Sequence, residues 1–426
     1  MLLLICLICL CLFINDLRLK RFYSINVYIF FGIILPLFLY TLNWSSFIVE
    51  EKSYFFIYTF ISLTLLLLIY YMITIHFRLS PVQNEIEITR FGRKVVGFIN
   101  PAFVILYLLE NYIGSGLIFP TFSGVDIHAY SAPMISYITT SFYTVFVMDY
   151  LTWKATKKNK YLFWIAVICL IPLITRASRM QVLISLVSLV SFVFFVESSY
   201  AKYNILYKEY YKKIKKTTVF VSFIFIAFAV ALTTFRMNQF GVYEMSYARE
   251  IGYTGPEWMS FLAPYYGYFP LSFNNLNVNM MMKDIEHNYL GLYSFLCFYY
   301  GIFQLDNLFD INPYQSIEGN YSSSTAATVP TGFWEYYYDF GMFLFIPILL
   351  ALIISYLFFL CASREKTKLT YRVLYFWYIP LWFFTSFQNV LFSSTLIVSG
   401  CLLAFLINRS FYTNVKLMGE IKKLPK

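Results

Sequence analysis

Residues 54–76 have the sequence YFFIYTFISLTLLLLIYYMITIH, which contains no Asp, Glu, Lys or Arg. A helix needs about 20 predominantly apolar residues to cross the hydrocarbon core of a membrane, so this stretch predicts a transmembrane helix. Similar stretches recur along the 426 residues, of which 60% are hydrophobic and 13% charged. Soluble chains contain about 25% charged residues. We therefore expect an all-α polytopic membrane protein rather than a very large soluble core.

The apolar stretches predict about eleven transmembrane helices. They cover residues 1–14, 22–42, 54–76, 95–113, 131–153, 161–175, 179–197, 217–235, 334–360, 371–386 and 390–407. The first stretch lacks a charged leader and a small-residue cleavage site, so we expect it to be retained as a span.

The positive charges indicate the orientation of these spans. Twenty-six of the 32 Lys and Arg lie in six segments: 18–21, 78–94, 154–160, 202–216, 364–372 and 409–426. Basic loops stay on the cytoplasmic side, and these segments alternate with segments nearly free of Lys and Arg. The N-terminus is therefore expected outside and the C-terminus in the cytoplasm. The net charge of +10 indicates topology and not nucleic-acid binding.

This topology divides the chain into three regions. Residues 1–235 form an N-terminal bundle of eight spans, 236–333 a large external loop, and 334–426 the last spans with a basic cytoplasmic tail. The loop has twelve tyrosines and three cations. Within it, proline and glycine interrupt the uncharged residues 258–273, which favours a re-entrant or interfacial helix. An additional pair of spans is the alternative.

The external face is predicted to carry few cations, and four of them are arginines. Arg176 and Arg179 lie three residues apart in a tight turn before the next span, near a helix N-terminus that favours anions. Guanidinium groups bind phosphate oxygens in a bidentate manner. We therefore predict a diphosphate site at Arg176 and Arg179, with Arg236 and Arg249 as further candidates. Snorkelling to the interface, or ion pairs with nearby acids, is the alternative.

Two carboxyl groups open the ninth predicted span. Glu335 and Asp339 lie four residues apart, on one face of a helix near the outer boundary. Desolvation there would raise a carboxyl pKa and produce a base that works near neutral pH. His287 is the one histidine of the large loop and a weaker candidate. The alternative is that both acids pair with the external arginines. The sequence has no metal-binding spacing, P-loop or dinucleotide fingerprint.

The run TGFWEYYYDFG at residues 331–341 and the turn TRASR at 175–179 carry a family resemblance. With the many spans and one dominant late external loop, they resemble the Wzy-type oligosaccharide repeat-unit polymerases of O-antigen and capsule pathways, which have a GT-C-like architecture. The pair His287-Asn288 is also similar to the histidine region of the related O-antigen ligases.

The resemblance implies a glycosyltransferase of the bacterial cytoplasmic (inner) membrane that needs no cofactor or metal. Its partners would be membrane lipids and an undecaprenyl-diphosphate-linked glycan, with a chain-length regulator left open and no nucleic acid. It implies that the arginines hold the diphosphate and that Glu335, Asp339 or His287 orients or deprotonates the acceptor. Sugar stacking would fall to aromatic residues: Trp258, Tyr265, Tyr266, Trp334 and Tyr338. A ligase-like enzyme or a lipid-linked oligosaccharide flippase is the alternative.

Overall fold

The fold is taken from a computed structural model of the chain. The structure describes residues 1–81, 85–120, 133–176, 180–203, 209, 211–212, 216, 248–282, 285–287, 289–295, 299, 321–322, 331–364, 368–386, 389–392, 394–407 and 412–415. Every structural statement below concerns these residues.

The chain is mostly helical, as the sequence predicts. Four helices in the described ranges are long and apolar enough to cross a membrane: Tyr54–Thr74, Arg90–Ser115, Val182–Ala201 and Phe345–Ser363. Shorter apolar helices cover Ile25–Thr41, Lys160–Thr175 and Ile397–Leu406. The eighth predicted span, 217–235, lies outside the described residues. The number of eleven spans and the orientation of the termini therefore stay predictions.

The chain divides into two compact units that do not follow its order. The first unit contains Met1–Arg78, Met237–Phe359 and Tyr378–Ile397, and the second contains Leu79–Arg236, Leu360–Trp377 and Val398–Lys426. Each unit thus combines segments from the N-terminal and C-terminal regions of the sequence.

Helices of several lengths build the first unit. The α-helices are Leu2–Arg18, Ile25–Ile29, Leu35–Thr41, Tyr54–Thr74, Ala263–Tyr268, Pro270–Met282, Phe333–Phe340 and most of Phe345–Ser363. A π-helix covers Phe30–Ile34, and 3₁₀ helices cover Glu257–Leu262, Gly341–Phe343 and Ile379–Ser386. The π-helix lies against the last of these, and a Cβ atom on Gly32 would overlap the main chain of Phe383. Only glycine allows this close approach.

Several predicted spans are divided in the structure. The stretch 334–360 becomes the helix Phe333–Phe340, a 3₁₀ turn and the spanning helix Phe345–Ser363, with Gly341 at φ +51° between them. Such a φ favours glycine and ends the helix. The stretch 371–386 is α-helical to Tyr378 and then winds as a 3₁₀ helix that includes Pro380.

The helix Pro270–Met282, here named the asparagine helix, fixes the connection before the helix Tyr54–Thr74. Asn274 accepts a hydrogen bond from the Val49 N–H (3.0 Å) and donates one to the Phe47 carbonyl (2.9 Å). Asn277 makes the same pair of bonds with the Ser53 N–H (2.8 Å) and the Glu51 carbonyl (2.9 Å). Each buried amide thereby satisfies two main-chain groups that have no secondary-structure partner.

The second unit is also helical. Its α-helices are Arg90–Ser115, Pro133–Thr139, Phe142–Thr156, Lys160–Arg176, Met180–Tyr203, most of Leu369–Tyr378 and most of Ser394–Leu406. Inside it, Glu110 accepts hydrogen bonds from Ser136 and Thr139, and Lys154 pairs with Glu197 at 2.6 Å. These polar contacts satisfy carboxyl groups buried between helices.

One pair of strands departs from the predicted all-α class. Strand β1 (Glu85–Ile88) pairs antiparallel with β2 (Tyr412–Val415), with Ile86 opposite Asn414. Its sequence, EIEI, alternates polar and apolar residues, which is the strand period. Ile86 and Ile88 are buried while Glu87 is exposed. This strand was not predicted, because four residues within a basic loop do not register in hydropathy averaged over about 19 residues.

Candidate functional site

The candidate site is built around the helix Phe333–Phe340 of the first unit, here named the site helix. Thr331 caps its start: the hydroxyl accepts from the Phe333 N–H (3.3 Å) and the carbonyl accepts from the Trp334 N–H (3.0 Å). The Gly332 N–H donates to the Thr385 carbonyl at 2.9 Å. The first turn of the helix is therefore held by its own chain and by the end of the 3₁₀ helix Ile379–Ser386.

Glu335 presents a carboxyl group that is available for chemistry. Its Oε2 atom is buried and has no hydrogen-bond partner in the described part of the chain. Burial raises the pKa of this carboxyl to about 8, and the nearby Asp339 adds to the rise. This agrees with the raised pKa expected from the sequence. Neither described ion pair includes Glu335. The alternative of an ion pair with Arg176, Arg179 or Arg236 falls on side chains outside the described residues.

Asp339 has a different environment, although it lies one turn further along the same helix. Its Oδ2 accepts hydrogen bonds from the N–H groups of Tyr293 (3.0 Å) and Ser294, and its Oδ1 lies 3.3 Å from the Tyr293 nitrogen. Its main-chain carbonyl accepts from the Tyr289 N–H at 3.1 Å. Asp339 thus organises the turn 289–295, and the carboxylate is occupied by main-chain donors.

His287 lies against the end of the site helix. Its Nδ1 is 3.1 Å from the Tyr338 carbonyl oxygen, which can only accept, so Nδ1 carries the proton of this hydrogen bond. In the neutral ring, Nε2 is then the free base. The ring makes edge contacts with Tyr337 (5.4 Å between centroids) and Tyr289 (5.9 Å). Gly341 permits this position, because a Cβ atom there would lie 2.6 Å from Nε2.

The aromatic residues predicted to stack on sugars fall into two groups. Trp258 is 75% exposed and Tyr265 is 42% exposed, so both offer ring surface on the loop. Tyr338 is partly buried, with its ring 5.0 Å from that of Tyr293. Trp334 and Tyr266 are buried in the core. Their rings offer no face to a glycan in this structure. The prediction that Trp334 and Tyr266 stack on sugars is therefore wrong for this structure.

The burial of Tyr266 has a specific cause. Its hydroxyl accepts from the Trp44 N–H (2.8 Å) and donates to the Leu39 carbonyl (3.2 Å). Its ring stacks on that of Trp44, with centroids 6.0 Å apart. Tyr266 therefore joins the predicted large loop to the end of the second predicted span, a role that its position in a tyrosine-rich sequence does not reveal.

Of the four arginines predicted to bind diphosphate, Arg249 alone has a described side chain. Arg249 is exposed, and no ion pair within the described ranges includes it. The side chain of Arg176 and all of Arg179 and Arg236 lie outside the described residues. The diphosphate site at these residues stays a prediction from the sequence.

Asn389 joins two parts of the site and is not among the residues predicted from the sequence. Its amide donates to the Ser294 carbonyl (2.8 Å), and its oxygen accepts from the Tyr336 hydroxyl (2.9 Å). Ser294 in turn donates to the Glu335 carbonyl at 3.1 Å. Asn389 thus connects the turn 289–295 with the site helix. A single asparagine between two predicted spans carries no signal from which this contact could be found.

The site combines a desolvated carboxyl group, a histidine with one free ring nitrogen and partly exposed aromatic rings. Such a set can accept a proton from a hydroxyl and contact a sugar. No cluster of three or more His, Cys, Asp or Glu side chains suited to a metal occurs among the residues with described positions. No protein-family model, curated protein or solved structure matches the chain.

Proposed function

We propose that this chain is a lipid-dependent glycosyltransferase that polymerises oligosaccharide repeat units on the outer face of a bacterial cytoplasmic membrane. The donor and the acceptor are glycans linked to undecaprenyl diphosphate. The proposal includes about eleven spans, with the N-terminus outside and the C-terminus in the cytoplasm. The spans and topology rest on hydropathy and charge. The activity rests on the sequence resemblance and on the chemistry of the site helix.

One observation carries the catalytic part of the proposal. Glu335 has a buried carboxyl oxygen with no partner in the described part of the chain, and the C-terminal end of its helix contacts His287. A carboxyl group with a raised pKa is an effective proton acceptor when it is ionised. Glu335 and His287 are therefore the two candidates for the general base, and Asp339 is a positioning residue.

The reaction consists of one transfer. The bond between the anomeric carbon of the growing glycan and its diphosphate oxygen breaks, and a hydroxyl oxygen of the incoming unit bonds to that carbon. The base takes the hydroxyl proton, and undecaprenyl diphosphate leaves with its negative charge. The arginines at 176, 179 and 236 would stabilise that charge, which is a role predicted from the sequence. Trp258 and Tyr265 offer surfaces for the glycan.

The test is the length distribution of surface polysaccharide in a strain from which the gene is deleted. A polymerase defect leaves a single repeat unit on the acceptor, whereas a flippase or ligase defect leaves none. An unchanged long-chain ladder would exclude polymerase activity. Plasmid-borne Glu335→Gln and His287→Ala then distinguish the two candidates, because the variant that lacks the general base should fail to restore the ladder while the protein remains in the membrane. A full ladder from both variants would exclude both residues as the base.

The arginine turn is tested in the same strain. Arg176→Lys and Arg179→Lys keep the charge and remove bidentate binding, so each should reduce polymer length strongly. Normal polymer from both variants would exclude the bidentate diphosphate site and leave the rest of the proposal standing.

A further inference from the structure

Two hydroxyl groups at the end of the 3₁₀ helix Ile379–Ser386 have no hydrogen-bond partner among the residues that the structure describes. Thr385 and Ser386 are fully buried, and neither side-chain oxygen has a partner in the portion of the chain that is described. Elsewhere in the same unit such hydroxyls donate to a carbonyl one turn earlier, as Thr59 does to Phe55 at 2.8 Å. Leaving a buried hydroxyl unsatisfied costs about 1–3 kcal/mol. Native structures keep few such groups without a reason.

The main chain at these two residues is firmly held. The Thr385 carbonyl accepts from the Gly332 N–H (2.9 Å), and the Ser386 carbonyl accepts from the Ser272 hydroxyl (3.0 Å). These bonds bring the 3₁₀ helix to the start of the site helix and to the asparagine helix. The unsatisfied hydroxyls therefore do not result from a loosely attached segment.

A third polar atom without a partner among the described residues belongs to the first turn of the site helix, whose Gly332 N–H bonds to the Thr385 carbonyl. Glu335 follows Gly332 by three residues, and its Oε2 is buried without a partner in the described ranges. Side chains in the first turn of a helix lean back toward its N-terminus, which is the end held by Thr385. We name Glu335, Thr385 and Ser386 the hydroxyl junction. It offers two groups that both donate and accept, and one carboxyl group.

These groups define the chemistry of a ligand. The predicted topology locates the ends of both segments at the outer face. Hydroxyls and an acid without a paired cation suit a neutral partner with several hydroxyl groups of its own. We propose that the hydroxyl junction is the subsite that binds hydroxyls of the incoming sugar, with Thr385 and Ser386 positioning it beside Glu335. This inference rests on the proposed function and adds the acceptor subsite to it.

Ordered water is the competing occupant. A water bonded to both hydroxyls and to Glu335 would satisfy the same atoms and serve only stability. The two cases predict different effects on stability and on substrate use when a hydroxyl is removed. If a sugar binds there, removing a hydroxyl leaves stability unchanged or higher and weakens substrate use. If structural water binds there, removing a hydroxyl lowers stability and leaves substrate use unchanged.

The experiment uses the full chain reconstituted in liposomes, with the lipid-linked repeat unit extracted from the deletion strain as substrate. Thr385→Val and Ser386→Ala should each raise KM about five- to tenfold, the equivalent of one lost hydrogen bond. The melting temperature should not fall. Thr385→Ser should retain a KM near that of the wild type. The matched control is Thr59→Val, which removes a partnered hydroxyl and should not alter KM.

The outcomes separate this inference from the proposed function. An unchanged KM in Thr385→Val and Ser386→Ala, or a lower melting temperature with unchanged KM, overturns the acceptor subsite. If the wild-type protein makes no polymer, the proposed function fails. Binding of the same lipid-linked unit, followed by tryptophan fluorescence, then decides the subsite. Equal affinity of the wild type and Thr385→Val overturns it, and a several-fold loss of affinity supports a sugar site outside polymerisation.

Discussion

The His287 ring lies at the end of the site helix, with Nδ1 at 3.1 Å from the main-chain carbonyl oxygen of Tyr338. This contact fixes the ring orientation and leaves Nε2 as the nitrogen that can accept a proton. Gly341, with a φ of +51°, lies near the Nε2 edge of the ring and leaves room for it because glycine has no Cβ atom. The last turn of the site helix therefore positions the histidine, and Gly341 ends the helix where the ring lies.

Gly341→Ala is expected to lower stability and activity together. A non-glycine residue in this sparsely populated backbone conformation costs about 1–3 kcal/mol, and the added Cβ would lie 2.6 Å from Nε2 and displace the ring. The measurements are the melting temperature in detergent and the polysaccharide ladder. Gly97→Ala is the matched control, because a Cβ there meets no atom within 4 Å. Equal melting temperatures and equal ladders in the two variants would show that the close approach of Gly341 to His287 contributes to neither stability nor activity.

Glu335→Gln should change the pH dependence of stability. Burial raises the folded pKa to about 8 from an unfolded value of 4.5, so between these values the folded protein holds a proton that the unfolded chain has lost. The contribution of Glu335 to the free energy of unfolding then has its full value below about pH 4.5. It decreases as the pH rises toward 8, by at most about 1.4 kcal/mol per pH unit.

The measurement is the melting temperature of the wild type and Glu335→Gln from pH 5 to pH 8. The wild type should lose stability over this range, and the glutamine variant should show a smaller loss. Parallel melting-temperature curves of the two proteins would mean that Glu335 is ionised in the folded protein over this pH range. Its pKa would then be too low for an effective general base near neutral pH.

Some parts of this site follow from sequence and others do not. The four-residue spacing of Glu335 and Asp339 predicts one helical face, and the site helix contains both residues. Burial at the outer boundary predicts a raised pKa, which Glu335 has. The partners of Asp339 could not be predicted, because the N–H groups of Tyr293 and Ser294 reach it through a turn some 45 residues earlier in the chain.

The division of the spans was also beyond sequence reasoning. Hydropathy is averaged over about 19 residues, so it does not register the break at Gly341 or the change of winding after Tyr378. The first break ends the site helix, and the 3₁₀ helix that follows the second contacts the start of the site helix at Thr385. Sequence therefore predicts that these segments are apolar helices, whereas the contacts of the carbonyls and hydroxyls at their ends depend on the tertiary structure.

Asp339→Ala should loosen the turn 289–295 without abolishing the site helix. The variant leaves two N–H groups without their charged acceptor, so we expect a loss of about 2–3 kcal/mol. Hydrogen exchange measured on peptides covering this turn should become faster. Asp339→Asn keeps one acceptor oxygen and should show an intermediate effect. Unchanged exchange together with lost polymer would instead assign Asp339 a direct role in the reaction.

The asparagine helix makes a prediction that trypsin can test from outside the cell. Asn277 holds the main chain on both sides of Lys52, so Asn277→Ala should release this segment and speed cleavage after Lys52 in spheroplasts. Asn279→Ala is the matched control, because Asn279 bonds to the main chain of Tyr321 instead. The exposed Arg249 is a reference site cleaved at a similar rate in both. Equal protection of Lys52 in the two variants would contradict the clamp.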